Sequence, residues 1–323
     1  MKKFLFTLLM LVVMVTVVSA YVAYDYMAPN ALTIPTTLII RKGTTSPATA
    51  QLLQGSGVVR HPYIFLAINY VLGASRNFKA GEYQFQPGIT PFEVAQKLRK
   101  GEVVIHKITL PEGWNVRQIT ELLIADTVLE GEITLPIPEG SLLPETYYYT
   151  AGDTRNTIIK RMQTMMQEVL ADSWNKRKEG LPFKTPQEAM VLASIVEKET
   201  GVATERPLVA SVFINRLRIG MPLQTDPTVM YGIEQATGVA MERPLSRKDL
   251  ETPSAYNTYM ISGLPPTPIA NPGIDAIQAV LIDPADTDAL YFVASGEGGH
   301  RFAKTLEEHN RNVAAYRALH NGK

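Results

Sequence analysis

TPQEAMVLASIVEKETGVATERPLVASVFINRLRIG, residues Thr185–Gly220, is the stretch that decides how the chain reads. Thr185 stands as an N-cap, Pro186 fits the first helical position, and Glu188 follows three residues after Thr185, which is the pattern of a capping box. Ala189, Leu192, Ile195 and Val196 recur at helical spacing, so a buried helix is expected to about Glu199. At about 100° per residue, Glu199 falls within about 20° of Leu192, near the middle of the apolar stripe. Glu197 and Lys198 fall on its flanks, where water reaches them. A carboxylate against an apolar wall has its charged form disfavoured and its pKa raised, which suits a general acid near neutral pH. The plainer alternative is a last-turn Glu that caps the helix or pairs with an Arg. A second helix is expected from about Pro207, burying Leu208, Val209, Val212 and Phe213 and stopping at Gly220.

Working outward, the 323 residues are 46% hydrophobic and 19% charged, enough for a substantial core and two domains. Lys+Arg and Asp+Glu balance at 31 each, so no basic excess points to nucleic acid. The absence of cysteine excludes disulfides, thiolate metal sites and cysteine nucleophiles. Lys2 and Lys3 precede an uncharged, mostly apolar run, Phe4–Tyr24. About 20 such residues cross a bilayer, and the leading lysines favour a cytoplasmic N-terminus. The rival is a signal peptide cleaved after Val18-Ser19-Ala20, but the apolar run continues through Tyr24. On either reading the bulk of the chain is exported.

After a linker over Met27–Pro35, a pattern echoes. Gly43, Thr45, Ala50, Gln51 and Leu53 recur at the spacing of Gly88, Thr90, Ala95, Gln96 and Leu98. Each copy reads as strand, Gly turn, Thr cap and short helix, with a weaker third echo at Gly113, Asn115 and Gln118. Unequal spacing argues for one small α+β module instead of a solenoid. Between the copies, His61–Leu72 reads as a helix burying Ile64, Phe65, Ile68 and Leu72. Thr134–Thr150 reads as turns around tyrosines, and Asn156–Ala171 as a helix with Ile158, Ile159, Met162, Met165 and Met166 inward. Gln224–Thr228, Pro253–Tyr259 and Gly263–Gly273 read as loops, followed by a strand at Ala289–Ala294 and a helix at Glu307–Leu319.

The five histidines form no HExxH and no pair at metal spacing, and no phosphate-binding glycine loop or nucleophile elbow appears. No metal or cofactor is expected. What remains is carboxylate chemistry beside loops rich in Tyr, Asn, Gln and Thr, side chains that stack on sugar faces and bond hydroxyls. Asp226 is either a second carboxylate across a glycosidic bond from Glu199 or an Asx turn before Pro227.

SIVEKET (194–200), ASVFINRLRIGMPLQTDPTVMYG (210–232), ETPSAYNTY (251–259), GLPPTPIANPG (263–273), PEGSLLPETYYY (138–149) and GGHRFAKTLEEHN (298–310) together resemble the YceG/MltG family of endolytic murein transglycosylases. The resemblance covers essentially the whole chain. It implies an α+β protein of the inner membrane, spanning it once, with cytoplasmic tip and anchor over 1–26, a lysin-motif-like periplasmic module over 27–103 and a catalytic domain over 104–323. The second Glu of EKET, Glu199, takes the catalytic position, as the helical wheel also selects. Glu145 stands where the family often has Asp. The implied reaction is non-hydrolytic cleavage between N-acetylmuramic acid and N-acetylglucosamine in nascent peptidoglycan, leaving 1,6-anhydro ends and ending strand growth. Asn215, Gln224, Asp226, Tyr256 and Asn257 are the expected substrate contacts. Glycan strands, the membrane and peptidoglycan synthases are the expected partners. A hydrolytic muramidase and a non-catalytic glycan-binding anchor are the alternative classes.

Overall fold

In a computed structural model of the chain, residues 1–73 and 78–321 are described. The architecture is mixed α+β, preceded by an apolar helix. The described chain forms two compact units, the first from residues 1–107, 127–130 and 148–154 and the second from the remainder.

In the first unit, Lys2–Met27 forms α1, long and apolar enough to cross a membrane and left uncovered by the rest of the protein along its apolar window. The echoed pattern then takes shape. Strand β1 (Thr36–Ile40) leads through Gly43, at φ +85°, to α2 (Ser46–Gly55), where the Thr45 hydroxyl accepts from Ala48 N–H. Helix α3 (Pro62–Val71) follows, then β2 (Gly81–Phe85) and α4 (Pro91–Lys100). Thr90 and Glu93 cap α4 reciprocally. β1 and β2 pair antiparallel, Thr36 opposite Phe85 and Ile40 opposite Gly81. Ile40, Leu53, Phe65, Tyr83, Phe85, Val94 and Leu98 close the core of this unit. Leu72, expected inside, is exposed. The buried place on α3 belongs to Asn69, whose side chain bonds Tyr26 and the Phe65 carbonyl.

Where the chain passes from the first unit into the second, β3 (His106–Thr109) precedes α5 (Val116–Ala125), which carries the third echo as a full capping box of Asn115 and Gln118. The tyrosine-rich segment is partly a strand, β4 (Thr146–Tyr149), where a loop was expected. Its alternation puts Tyr147 and Tyr149 inside and Tyr148 outside. In α6 (Arg155–Asn175), Ile158, Ile159, Met162 and Met166 are buried as the spacing requires, while Met165 points outward. Helix α7 (Pro186–Glu199) begins at Thr185, whose hydroxyl accepts from Glu188 N–H. The Glu188 carboxylate accepts from Lys184 N–H, so the cap reaches one residue further back than a reciprocal box.

After a 3₁₀ turn (Ala203–Glu205) come α8 (Arg206–Arg218), α9 (Asp226–Thr237), α10 (Arg247–Leu250) and α11 (Ile274–Leu281). The second unit ends with β5 (Tyr291–Ala294), β6 (His300–Ala303) and α12 (Leu306–Asn321). β5 and β6 form an antiparallel hairpin with Tyr291 opposite Ala303. Helix α9 begins inside Gln224–Thr228, which was expected to be a loop. Proline is tolerated in a first helical turn, where its missing N–H has no partner to lose. Contacts from α6, α8, α9 and α11 enclose α7, and every residue from Ala189 to Val196 is buried. Each fully buried Leu, Ile or Val there contributes about 1.5–3 kcal/mol. The consequence is a rigid post with Glu199 as its last residue.

Candidate active site

Glu199 stands at the C-terminal end of α7, where the exposed carbonyl ends of the helix disfavour negative charge. It opens on a cleft of about 550 Å³. Phe213 and Arg216 of α8 form one wall, Leu223, Gln224, Asp226 and Tyr259 another, and Tyr291 and Phe292 of β5 with Leu306 and His309 of α12 a third. Burial holds the Glu199 carboxyl above the ordinary carboxylate range. A hydrogen bond from Thr225 opposes that shift, Asp226 adds to it, and His300 and Arg216 oppose it weakly.

Thr225 occupies the N-cap position of α9, yet its hydroxyl makes no cap. It donates instead to Glu199 Oε1. The remainder of Thr225 is fixed by a buried threonine set. Its N–H donates to Thr258 Oγ1 at 3.0 Å, its carbonyl accepts from Thr228 Oγ1 at 2.8 Å, and the Thr228 and Thr258 hydroxyls are 2.9 Å apart. With the Thr225 donor on Oε1, a proton on the carboxyl would sit on Oε2. The preceding residue, Gln224, lies on the cleft at φ +50°, the left-handed region that a residue with a side chain enters at a cost, and such positions cluster at functional sites.

Asp226 is the first residue of α9, where a helix N-terminus favours an anion, and it accepts a 2.6 Å bond from the Tyr259 hydroxyl. Arg216 is buried and lines the same cleft. Its guanidinium donates to the Leu290 carbonyl at 2.7 Å and to Leu223 at 2.6 Å, and lies 5.5 Å from the centre of the Tyr291 ring. The other face of the cleft carries His309, stacked on Tyr291 at 5.2 Å between centroids, its Nδ1 buried without a partner. Burial, with Arg216 second, pulls the His309 pKa down, so the ring is neutral at neutral pH. A bare Nδ1 lone pair is the less costly state to bury, so the tautomer carries its proton on Nε2.

Of the residues expected from sequence, Glu199, Gln224 and Asp226 come together here. Three others do not line the cleft. The Asn215 amide donates to the carbonyls of Thr287 (2.7 Å) and Ala289 (3.1 Å), tying α8 to the segment before β5. Asn257 is wholly buried, donating to Leu250 and Thr252 and accepting from Tyr259 N–H, which sets the turn that presents Tyr259. Tyr256 packs edge-on against Tyr231, its hydroxyl 2.8 Å from Thr267. Backbone carbonyls claim the two amides, and other side chains claim Tyr256.

Glu197 is also corrected. Its side chain is only 6% exposed, paired with Arg206 at 3.4 Å and accepting from Gly273 N–H at 3.0 Å. Arg206 in turn meets Glu112 and Asp275. Arg216 flanks the buried face of α8 near its C-terminal end, where the sequence suggests ligand-facing polar groups, and it does line the cleft. Tyr259, Tyr291 and His309 were not selected from sequence; Tyr259 sits inside the quoted stretch NTY and His309 inside EEHN, but nothing in their local spacing sets them apart.

The cleft thus brings together one glutamic acid with a raised pKa, a hydroxyl held on one of its oxygens, a second carboxylate, a buried guanidinium and stacked aromatic rings. The chain matches the YceG-like family over residues 38–315, and it belongs to that family. It is 32% identical over 317 residues to the endolytic murein transglycosylase of Bacillus subtilis, covering 88% of this chain and 85% of that one. It is 29% identical to the endolytic murein transglycosylase of Streptococcus pneumoniae, covering 92% of this chain and 62% of that longer one. A crystal structure of a yceG-like protein from Listeria monocytogenes superposes with a TM-score of 0.53 at 30% identity, covering 86% of this chain and 98% of that one.

Proposed function

We propose that the protein is an endolytic lytic transglycosylase that cuts the β-1,4 bond between N-acetylmuramic acid and N-acetylglucosamine in newly made peptidoglycan. The observation that carries this reading is the Glu199 carboxyl, raised by burial and opening on a cleft, with its Oε1 fixed by Thr225. Glu199 donates its proton to the glycosidic oxygen as the bond from that oxygen to muramoyl C1 breaks. The glucosamine end leaves as an alcohol. The Glu199 carboxylate then takes the proton of the muramoyl 6-hydroxyl as that oxygen bonds C1, which restores the acid and leaves a 1,6-anhydro ring. No water enters, so one carboxylate serves both half-steps, and the intramolecular nucleophile takes the place of a positioned water.

In this reading Asp226, anionic at a helix start and held by Tyr259, sustains the raised pKa of Glu199 and stabilises positive charge developing at C1. Gln224 and Arg216 contact the glycan. The β1–α2–α3–β2 portion of the first unit serves as a lysin-motif-like glycan-holding module. Helix α1 anchors the chain in the inner membrane with Lys2 and Lys3 in the cytoplasm, which places the cleft in the periplasm beside nascent strands and their synthases, where cleavage ends strand growth.

The test is cleavage of purified glycan strands by the wild type and by Glu199→Gln. The amide preserves shape and removes the titratable proton, so fragments should disappear while the thermal transition stays intact. A folded Glu199→Gln protein that still cuts would overturn the assignment.

A further inference from the structure

Helix α3, PYIFLAINYV, contains no charged residue. One face meets the core of the first unit through Pro62, Phe65 and Asn69. The opposite face repeats Tyr63, Ala67, Tyr70 and Val71 at i, i+4, i+7 and i+8, and it is bare. Tyr63 is 78% exposed, Tyr70 68% and Val71 82%, with Leu72 just beyond the helix at 60%. A helix on the surface of a globular protein in water carries charged and polar residues on that side. An exposed aromatic and aliphatic face marks an interaction surface.

A second observation says what covers it. Helix α3 is fastened to the last turns of α1. The Tyr21 hydroxyl and His61 Nε2 are 3.2 Å apart, His61 Nε2 lies 3.7 Å from Asp25, and the Tyr26 hydroxyl donates to Asn69 Oδ1 at 3.1 Å. Asp25 is the first charged residue after Lys3, so these contacts fall where the apolar run Phe4–Tyr24 ends. For a spanning helix that is the depth of the lipid headgroups, where tyrosines concentrate, and Tyr21 and Tyr24 lie at the same level.

We propose that α3 is a second membrane contact, lying in the lipid–water interface with its Tyr63, Ala67, Tyr70 and Val71 face among the headgroups and upper acyl chains. The inference rests on α1 spanning the bilayer. An interfacial helix of this kind gains from burying aromatic and aliphatic area at the acyl boundary. With α1 it makes a two-point attachment, so the first unit is held at a set orientation to the bilayer instead of swinging on a single tether.

The chain has no cysteine, so single spin labels can be placed without background. Val13→Cys in α1, Val71→Cys in α3 and Val239→Cys, an exposed site of the second unit, are labelled in the full chain and reconstituted into phosphatidylcholine–phosphatidylglycerol vesicles. The readout is the ratio of label collisions with oxygen, which partitions into lipid, to collisions with a water-soluble nickel chelate. The expected order is Val13 highest, Val71 several-fold above Val239, and Val239 lowest. Adding Tyr63→Glu and Tyr70→Glu should return Val71 to the Val239 value while Val13 stays high. If Val13 reports lipid and Val71 equals Val239, the anchor stands and the inference fails. If Val13 also equals Val239, the anchor itself is absent and the inference falls with it. Dipolar broadening between Val71 labels would show that a second copy covers the face, and would overturn the lipid assignment.

Discussion

Glu197 and Glu199 stand two residues apart on one helix, and burial raises the pKa of both. On the Glu197 side, Arg206 and the Gly273 N–H occupy the carboxylate, and Glu112 and Asp275 share the guanidinium. On the Glu199 side, Thr225 takes one oxygen and the cleft receives the group. The first arrangement is a closed strut between α7, α8 and the loop before α11. The second is a carboxyl with one oxygen held and open space beside it, as the proposed proton donor requires. A raised pKa is therefore common to the strut and to the proposed acid, and the partners around the oxygens separate them.

The largest effect that should divide the two sides is on cleavage. Glu199→Gln is expected to lower the rate of glycan cutting by about 10²–10⁴-fold, the usual range for removing a general acid. Glu197→Gln should stay within a few-fold in rate while unfolding about 1–3 kcal/mol more easily, the cost of weakening a buried, charge-assisted bond. Denaturant melts run beside the activity assay would expose any reversal of that pattern.

A subtler change is expected from Thr225→Val. Its hydroxyl favours the charged form of Glu199, so its loss pushes the Glu199 pKa further up. Rates should fall about tenfold through lost positioning. The alkaline limb of the pH–rate profile, where Glu199 loses its proton, should move to higher pH. A limb that stays in place or moves down would break the link between Thr225 and the acid.

The smallest effect on cleavage concerns a third buried acid, Glu139, which accepts from Val116 N–H at 3.0 Å, Asn271 at 3.1 Å and the Tyr231 hydroxyl at 3.2 Å. Burial pushes its pKa up to about 7, against the pull of these bonds. The folded carboxyl thus keeps a proton that the unfolded chain releases above about 4.5. This group's contribution is fully present below that pH and falls by on the order of 3 kcal/mol as pH rises to about 7. Glu139→Gln should flatten that part of the stability–pH curve without altering which bond is cut. Parallel curves for the two proteins would refute the assignment.

How much of this was legible in the sequence follows from the range of each signal. Caps at Thr45, Thr90, Asn115 and Thr185 depend on residues three apart, and all four appear. The wheel placed Glu199 against apolar neighbours because its partners in the stripe lie one or two turns back. The same wheel misplaced Glu197, since it assumes one wet side and α7 is packed all round by four helices. Asn215, Tyr256 and Asn257 have the chemistry of sugar contacts, but backbone carbonyls claim the two amides, those of Asn215 far along the chain, and Thr267 meets the Tyr256 hydroxyl. Arg216, Tyr259, Tyr291 and His309 reach the cleft from four separate segments, a convergence that no local period encodes.

The claim at the centre is that Glu199 acts alone, with Asp226 as its charged neighbour and the muramoyl 6-hydroxyl as nucleophile. Mass spectrometry of glycans released from purified sacculi by the wild type and by Asp226→Asn tests it most directly. The account predicts 1,6-anhydro ends, one water lighter than reducing ends, from internal cuts by both proteins, with Asp226→Asn slower and unchanged in product. Reducing ends from the wild type, lost almost entirely when Asp226 is neutralised, would make Asp226 a second catalytic carboxylate and contradict the account.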